Sequence, residues 1–378
     1  MIEKIYLDNA ATTRVDPNVV VVMTDCLRNN YGNPSSIHSF GRKSRALIES
    51  SRRKIAKLIN ASPSEIFFTS GGTEADNMAI RGAVRDAGVK NVITSKIEHP
   101  AVLNTVINLE KQNKISLHYV DLKESGEINL SHLESLLKNK KKCLVSLMHA
   151  NNEIGNLLSI EDVSDLCKKH NALFHCDTVQ TIAHLPIDVE KTPLDFLVCS
   201  AHKFHGPKGV GFLYVNNKIN ITPLIHGGSQ EKNMRGGTEY VYGIVGLAKA
   251  MEIAFSKMSL HHEHILKLKR HMISRLNDLI PEITFNGLSS NISKSLYTVL
   301  SISIPKFRNS DLLLFNLDLF GIACSGGSAC SSGSSKLSHV ISEINKNDNH
   351  VVVRFSFCKY NTLQEIDYVV EKLRYLLD

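Results

Sequence analysis

The chain has 378 residues, 43% of them hydrophobic and 21% charged, with a formal net charge of +7. That is the composition of a globular protein long enough for two or three domains and a sizeable core; it excludes collagen-like, low-complexity and charge-driven disordered chains. The basic residues are scattered, the densest run being Lys138 to Lys142 broken only by Asn139, so they read as solvated surface rather than a nucleic-acid footprint, and no apolar stretch reaches the roughly 20 residues of a membrane span.

Folded structure is expected almost from the first residue, at Tyr6-Leu7-Asp8-Asn9-Ala10-Ala11, with no signal-peptide pattern before it. From about residue 60 to 215 short apolar runs alternate with helix-like segments. Strands are predicted at 66–69, 92–94, 117–120, 143–148, 172–176 and 194–199, with helices at 101–109 and 160–169 among those between them. This alternation predicts an α/β fold with a mainly parallel, helix-covered sheet. The run 209–215 returns so soon after 199 that it is expected to add to the sheet antiparallel. Near residue 256 the character changes to a long helix (261–279), a strand (297–304), a helix (310–320), a strand (351–357) and a helix (363–377). The expected division is a large domain over 15–256 and a smaller α+β domain formed by 1–14 with 257–378. Eight cysteines, none in a C-x-x-C pair and several inside apolar runs, read as reduced thiols, which points to a cytoplasmic location.

Lys203 is the most informative single residue. It lies in Ser200-Ala201-His202-Lys203-Phe204-His205-Gly206-Pro207, just past an apolar strand. A desolvated lysine amine is a nucleophile able to form a Schiff base with a carbonyl, whereas an isolated lysine in a turn is ordinarily only solvated. Asp177, at the end of the preceding strand, is the acid that a pyridinium nitrogen requires, which suggests pyridoxal phosphate. The turn Thr69-Ser70-Gly71-Gly72-Thr73 opens a helix, where backbone N–H groups and the helix dipole favour a phosphate; alone it is equally an ordinary strand-to-helix turn. Ser200 and His202 can donate to the same phosphate, and His99 can stack on a flat ring. In an open parallel sheet, ligands bind beyond the carboxyl ends of the strands, and 72–73, 99, 152, 177–180 and 200–203 all fall there.

Two further residues stand out. Cys330 sits in the Ser/Gly-rich stretch 325–335, where a thiol can be exposed and ionised; Cys324 reads as packed. Arg354, inside the β-branched run 351–357, requires either a substrate carboxylate or an internal ion pair. The cluster His261-His262-Glu263-His264 lacks a matching ligand set and reads as a solvated helix face.

Assembled, these segments resemble the NifS/IscS-like cysteine desulfurases of group I, in the class V branch of the fold-type I pyridoxal phosphate enzymes. The resemblance runs along essentially the whole chain: Tyr6 to Thr13, Tyr31-Gly-Asn-Pro-Ser-Ser36, Thr69 to Glu74, Glu98-His99, Asn151-Asn-Glu-Ile-Gly155, Asp177-x-x-Gln180, His202-Lys203, Arg235-Gly-Gly-Thr238, Gly327-Ser-Ala-Cys330 and Arg354-Phe-Ser356. It implies a seven-stranded sheet in the large domain and assigns roles. Lys203 anchors the cofactor, Asp177 pairs with its ring nitrogen, Gln180 bonds its ring hydroxyl and His99 stacks on the ring. Gly72, Thr73, Ser200 and His202 hold the phosphate, with Thr238 reaching it from the second subunit of a homodimer. Asn152 contacts cofactor and substrate, and Arg354 takes the substrate carboxylate. The implied reaction converts L-cysteine to L-alanine and leaves a persulfide on Cys330, handed on to an iron–sulfur scaffold or a tRNA-thiolation acceptor. The alternatives are selenocysteine lyase, a class V aminotransferase that would not need Cys330, and a sulfur-carrying platform without turnover. Thr178 departs from the small residue usual in the family beside the aspartate.

Overall fold

A computed structural model describes residues 4–326, 338–345 and 349–377. Its centre is a seven-stranded sheet of strands β2 (Ile66–Thr69), β3 (Asn91–Thr94), β4 (Ser116–Tyr119), β5 (Cys143–Met148), β6 (Leu173–Asp177), β7 (Phe196–Ser200) and β8 (Gly211–Val215), in the order β2-β8-β7-β6-β5-β3-β4. All neighbours are parallel except β8, which runs antiparallel to both β2 and β7, as its short connection required. Strand β5 is buried along its whole length, the pattern of a parallel strand covered on both faces. Helices α3 (Gly72–Arg85) and α4 (Pro100–Lys111) cover one face, where Ala79, Ile80 and Val102 pack on Val92, Leu144 and Val198. On the other face α1 (Pro17–Asn29), α2 (Ser39–Leu58), α5 (Leu130–Asn139), α6 (Ile160–Lys169) and α7 (Val241–Ser256) pack against Val145, Phe174 and Leu197. The sheet class, the strand set and the antiparallel return are those expected; the strand ends differ from the sequence reading by one or two residues, the usual uncertainty of boundaries.

A second core gathers Ile5, Leu7 and Ala10 with residues between Ile265 and Leu373. It lies under an antiparallel sheet of β9 (Thr284–Phe285), β10 (Val299–Pro305) and β12 (His350–Ser356). Around it pack α8 (Met258–Leu279), α9 (Leu313–Leu319), α10 (His339–Ile344) and α11 (Leu363–Leu377), and β1 (Ile5–Tyr6) pairs with β11 (Ile322–Ala323). The helix predicted over 310–320 is present, its first turn, Ser310–Leu312, being 3-10 and leading directly into α9; Asn309, in the left-handed region at φ 65°, stands just before it. Among the described residues no helix is long and apolar enough to cross a membrane.

The N-terminal segment ties the two cores together. Leu7 N–H donates to Ala323 O, and Ser356 N–H to Leu7 O; Thr13 N–H then donates to His202 O, in the turn after β7. Residues 8–13 therefore lie across the carboxyl ends of β6 and β7, which is where the candidate residues converge.

Candidate active site

The turn from β2 into α3 is built by glycines. Gly71 has φ +148°, which side-chain-bearing residues rarely adopt, and a Cβ on Gly72 would meet Val179 at 2.9 Å. A Cβ on Gly211 of β8 would lie 2.1 Å from Cys199 O and 2.9 Å from Gly71 Cα. These close approaches bring the amino end of α3 beside Ser200 and His202, and the resulting groove is lined by Thr12, Gly72, Thr73, Ser200, His202 and Lys208. Burial, then Lys203 and Lys208, lower His202 to about 4, so at neutral pH it is an uncharged imidazole. Its Nδ1 lies 3.1 Å from Thr12 Oγ1.

Lys203 is half-buried. Its Nζ donates to Ala10 O at 2.6 Å and to Ala11 O at 3.0 Å, and Gln180 Nε2 donates to Ala10 O at 3.1 Å. The turn that follows Asp8 thus aims two carbonyls at the amine. A carbonyl acceptor carries no sequence signature, so this part of the site was not legible beforehand. His184 Nε2 meets Lys203 O at 3.2 Å and its Nδ1 meets Tyr297 OH at 3.2 Å, fixing the backbone of the turn.

Asp177, at the carboxyl end of β6, is buried and accepts from Val179 N–H at 2.9 Å. Burial raises its pKa, while His99, that N–H and Lys203 oppose the rise. Thr178 next to it is completely buried, and its hydroxyl donates to Val198 O at 2.7 Å; that bond is what lets a threonine stand where a small residue was expected. His99 caps α4, its Nδ1 accepting from Ala101 N–H at 3.1 Å. Nδ1 is thereby the unprotonated nitrogen and Nε2 carries the hydrogen. Burial, opposed by Asp177, lowers the ring's pKa.

Arg354 is 1% exposed. Its Nη1 donates to Asn152 O at 2.8 Å and its Nη2 to Asp8 Oδ1 at 2.9 Å, while Nε is buried without a hydrogen-bond partner. The internal ion pair weighed in the sequence is therefore present, with Asp8 as its acid, and one guanidinium nitrogen, Nε, has no partner among the described residues. Ser325 joins the same cluster: its hydroxyl donates to Asp8 Oδ1 at 2.6 Å and its backbone pairs with that of Arg354. At the far end of the Ser/Gly-rich stretch, His339 Nε2 lies 3.0 Å from Glu98 O, next to His99. Both flanks of the segment carrying Cys330 are thus held at the site. Cys330 itself lies outside the described residues. Cys324 is packed, and burial pushes its thiol up to about 12. Thr238 is exposed and lines a separate cleft with Thr69, Ser70 and Arg235; within this chain it does not line the groove beside Gly72 and His202.

The model of the "Aminotransferase class-V" family matches residues 5–369. The chain is 43% identical to the cysteine desulfurase IscS of Dictyoglomus turgidum, over 100% of this chain and 95% of that one. The chain belongs to the class V aminotransferases, in their cysteine desulfurase branch. Among solved structures, a NifS-like protein superposes with a TM-score of 0.90 at 38% identity, covering 99% of both chains. SspA in complex with cysteine superposes with a TM-score of 0.81 at 32% identity, covering 95% of this chain and 100% of that one. The resemblance read from the motifs, and the fold it implied, are those of the family.

Proposed function

We propose that this chain is a pyridoxal phosphate-dependent cysteine desulfurase that releases L-alanine from L-cysteine and carries the sulfur on Cys330. The observation that supports it most is the convergence of a half-buried lysine amine, a buried aspartate and a glycine-built helix end at neighbouring strand termini. The residues present fit the cofactor. The groove beside Gly72, Thr73, Ser200 and His202 lies at the positive end of α3, which favours a phosphate. Asp177 supplies the buried acid for a ring nitrogen, Gln180 a donor for the ring hydroxyl, His99 a neutral ring to stack, and Lys203 the amine.

When bound, pyridoxal phosphate supplies an electron sink for breaking bonds at the amino acid's Cα and beyond. Lys203, released from that anchoring role, takes the Cα proton and returns it. Asp177 holds the ring-nitrogen proton in place. Arg354 and Asn152 receive the substrate carboxylate, Arg354 through its unpartnered Nε. Cys330, as thiolate, attacks the substrate sulfur; the carbon–sulfur bond breaks, its electrons stay on carbon, and a persulfide forms on Cys330. Five Cα-to-Cα steps join Ser325 to Cys330, a span of roughly 18 Å at full extension, which is within reach of a substrate held by Arg354.

The same reading includes a homodimer in which Thr238 serves the other subunit's phosphate. The exposed apolar side chains Tyr31, Ile37 and Phe40, the first and last with ring centroids 5.5 Å apart, favour such a contact. An iron–sulfur scaffold or another thiol acceptor takes the sulfur onward, in the cytoplasm. The test is to incubate the protein with L-cysteine and a reductant and to measure alanine and sulfide together. Equal amounts, lost in both Lys203→Ala and Cys330→Ser, are expected. Pyruvate with ammonia, or undiminished sulfide from Cys330→Ser, would overturn the assignment.

A further inference from the structure

Beneath Asp177 lies a second group of polar side chains that the reaction as described does not use. Asp76 is on α3, one turn beyond Gly72, and is 1% exposed; His175 is on β6, two residues before Asp177, and is 0% exposed. Side chains two apart on a strand share a face, so His175 stands directly behind Asp177. Its Nδ1 lies 2.8 Å from Ser146 Oγ, the residue in register with it on β5. Its Nε2 has no hydrogen bond of normal geometry, and neither has Asp76 Oδ1; the two atoms lie 3.3 Å apart. Each is the polar atom that the other lacks.

The charge state of this pair follows from its surroundings. Burial pushes Asp76 well up, and the nearby carboxyls of Asp177 and Glu98 push it further. Glu98 is itself raised by burial, its Oε1 accepting from Met148 N–H at 3.0 Å. Burial lowers His175 to about 3. His99, the Val179 N–H and Lys203 all favour the ionised form of Asp177. Asp177 is thus the carboxyl best supplied with groups that favour its anion, and a second anion at Asp76 would work against it.

We propose that Asp76 and His175 are positioning residues for Asp177: Asp76 keeps its proton and donates it to His175 Nε2, and His175 Nδ1–H donates to Ser146 Oγ. This uncharged chain runs from α3 through β6 to β5 and braces the strand end that carries Asp177, leaving Asp177 as the sole anion there. The inference rests on the reading of Asp177 as the partner of the cofactor ring nitrogen.

Two measurements on the full chain test it. In the infrared difference spectrum of wild type minus Asp76→Asn, taken without cofactor at neutral pH, a protonated-carboxyl band that shifts in heavy water is expected. A carboxylate band in its place would overturn the proposal whatever the cofactor does. With pyridoxal phosphate bound, Asp76→Asn keeps a neutral donor to His175 and should leave the pH midpoint of the visible absorption band unchanged. His175→Phe removes both bonds and should weaken pyridoxal phosphate binding roughly tenfold, the size of one buried hydrogen bond. A displaced midpoint in Asp76→Asn, failure of that near-isosteric variant to fold, or wild-type affinity in His175→Phe would each overturn it. If Asp177→Asn also bound the cofactor with an unaltered spectrum, the reading of Asp177 itself would be at fault, an outcome separate from the infrared result.

Discussion

Two buried groups of charges sit on the large sheet, and they are built on opposite plans. On the β2 side, Arg52 and Glu231 face each other with side chains 0% and 2% exposed. Their two parallel N–H···O bonds are both 2.8 Å, Arg52 Nη1 also donates to Ile66 O, and Phe68 N–H donates to Glu231 at 2.8 Å. The guanidinium lies over the Phe68 ring at 4.8 Å. Every strong acceptor has its donor, and the pair holds Glu231, Lys232 and Asn233 in consecutive left-handed conformations, at φ 44°, 57° and 66°. At the carboxyl ends of β5 and β6, by contrast, Asp76, Glu98 and Asp177 are three like-signed acids, and Asp76 Oδ1 and Glu98 Oε2 lack hydrogen-bond partners. Opposite charges joined by a fork of hydrogen bonds fix a shape. Like charges crowded together must share out protons, and that is the setting in which acid–base and cofactor chemistry is found.

The contrast predicts different failures. Glu231→Gln leaves Arg52 buried with a broken fork and should destabilise the fold by about 3–5 kcal/mol, read from the urea-unfolding transition. The cost should fall well short of additive when Arg52→Met is added, since the stranded charge is then gone. A Glu231→Gln protein as stable as wild type would show that the strained turn is held by something else. Asp177→Asn should do the reverse. It removes a charge from a crowded acidic site, so stability should change little, while turnover with cysteine should fall roughly 10²–10³-fold through loss of electrostatic stabilisation at the reacting centre. A stability loss as large as that of Glu231→Gln would make the two regions alike and dissolve the comparison.

Much of this arrangement was legible in the sequence because its signals are local. Apolar runs located the strands, and the rule that ligands bind past strand ends brought together residues 72–73, 99, 177 and 200–203, which the fold does cluster. Where a residue's partner lies far along the chain, the sequence was silent. Arg354 stood evenly between a substrate carboxylate and an ion pair, because Asp8 is 346 residues away. The carbonyls of Ala10 and Ala11 that receive Lys203 are backbone groups and carry no side-chain signal. Asp76 and His175 lie within a helix pattern and an apolar strand, where a single polar residue reads as ordinary structure; only their 3.3 Å approach in the fold gives them meaning.

A smaller test sharpens the comparison at a third site, where one acid is matched and titratable at once. Asp16 caps α1, accepting from Asn18 N–H at 2.9 Å, and also receives Lys359 Nζ and Tyr360 OH from just beyond β12. Burial alone would raise its pKa, but the bonds from Lys359 and Asn18 prevail and bring it from 3.8 to about 2. A folded-state value below the unfolded one means stabilisation that is fully present above about pH 4 and is lost as pH falls toward 2. Asparagine at the same position still caps the helix, so Asp16→Asn isolates the contact with Lys359. It should cost about 1–3 kcal/mol at pH 7, and the gap from wild type should close as the unfolding series is taken down to pH 2. A gap that stays constant across that range would mean that Asp16 acts through shape alone, as a neutral partner would, and would place it with neither of the two larger groups.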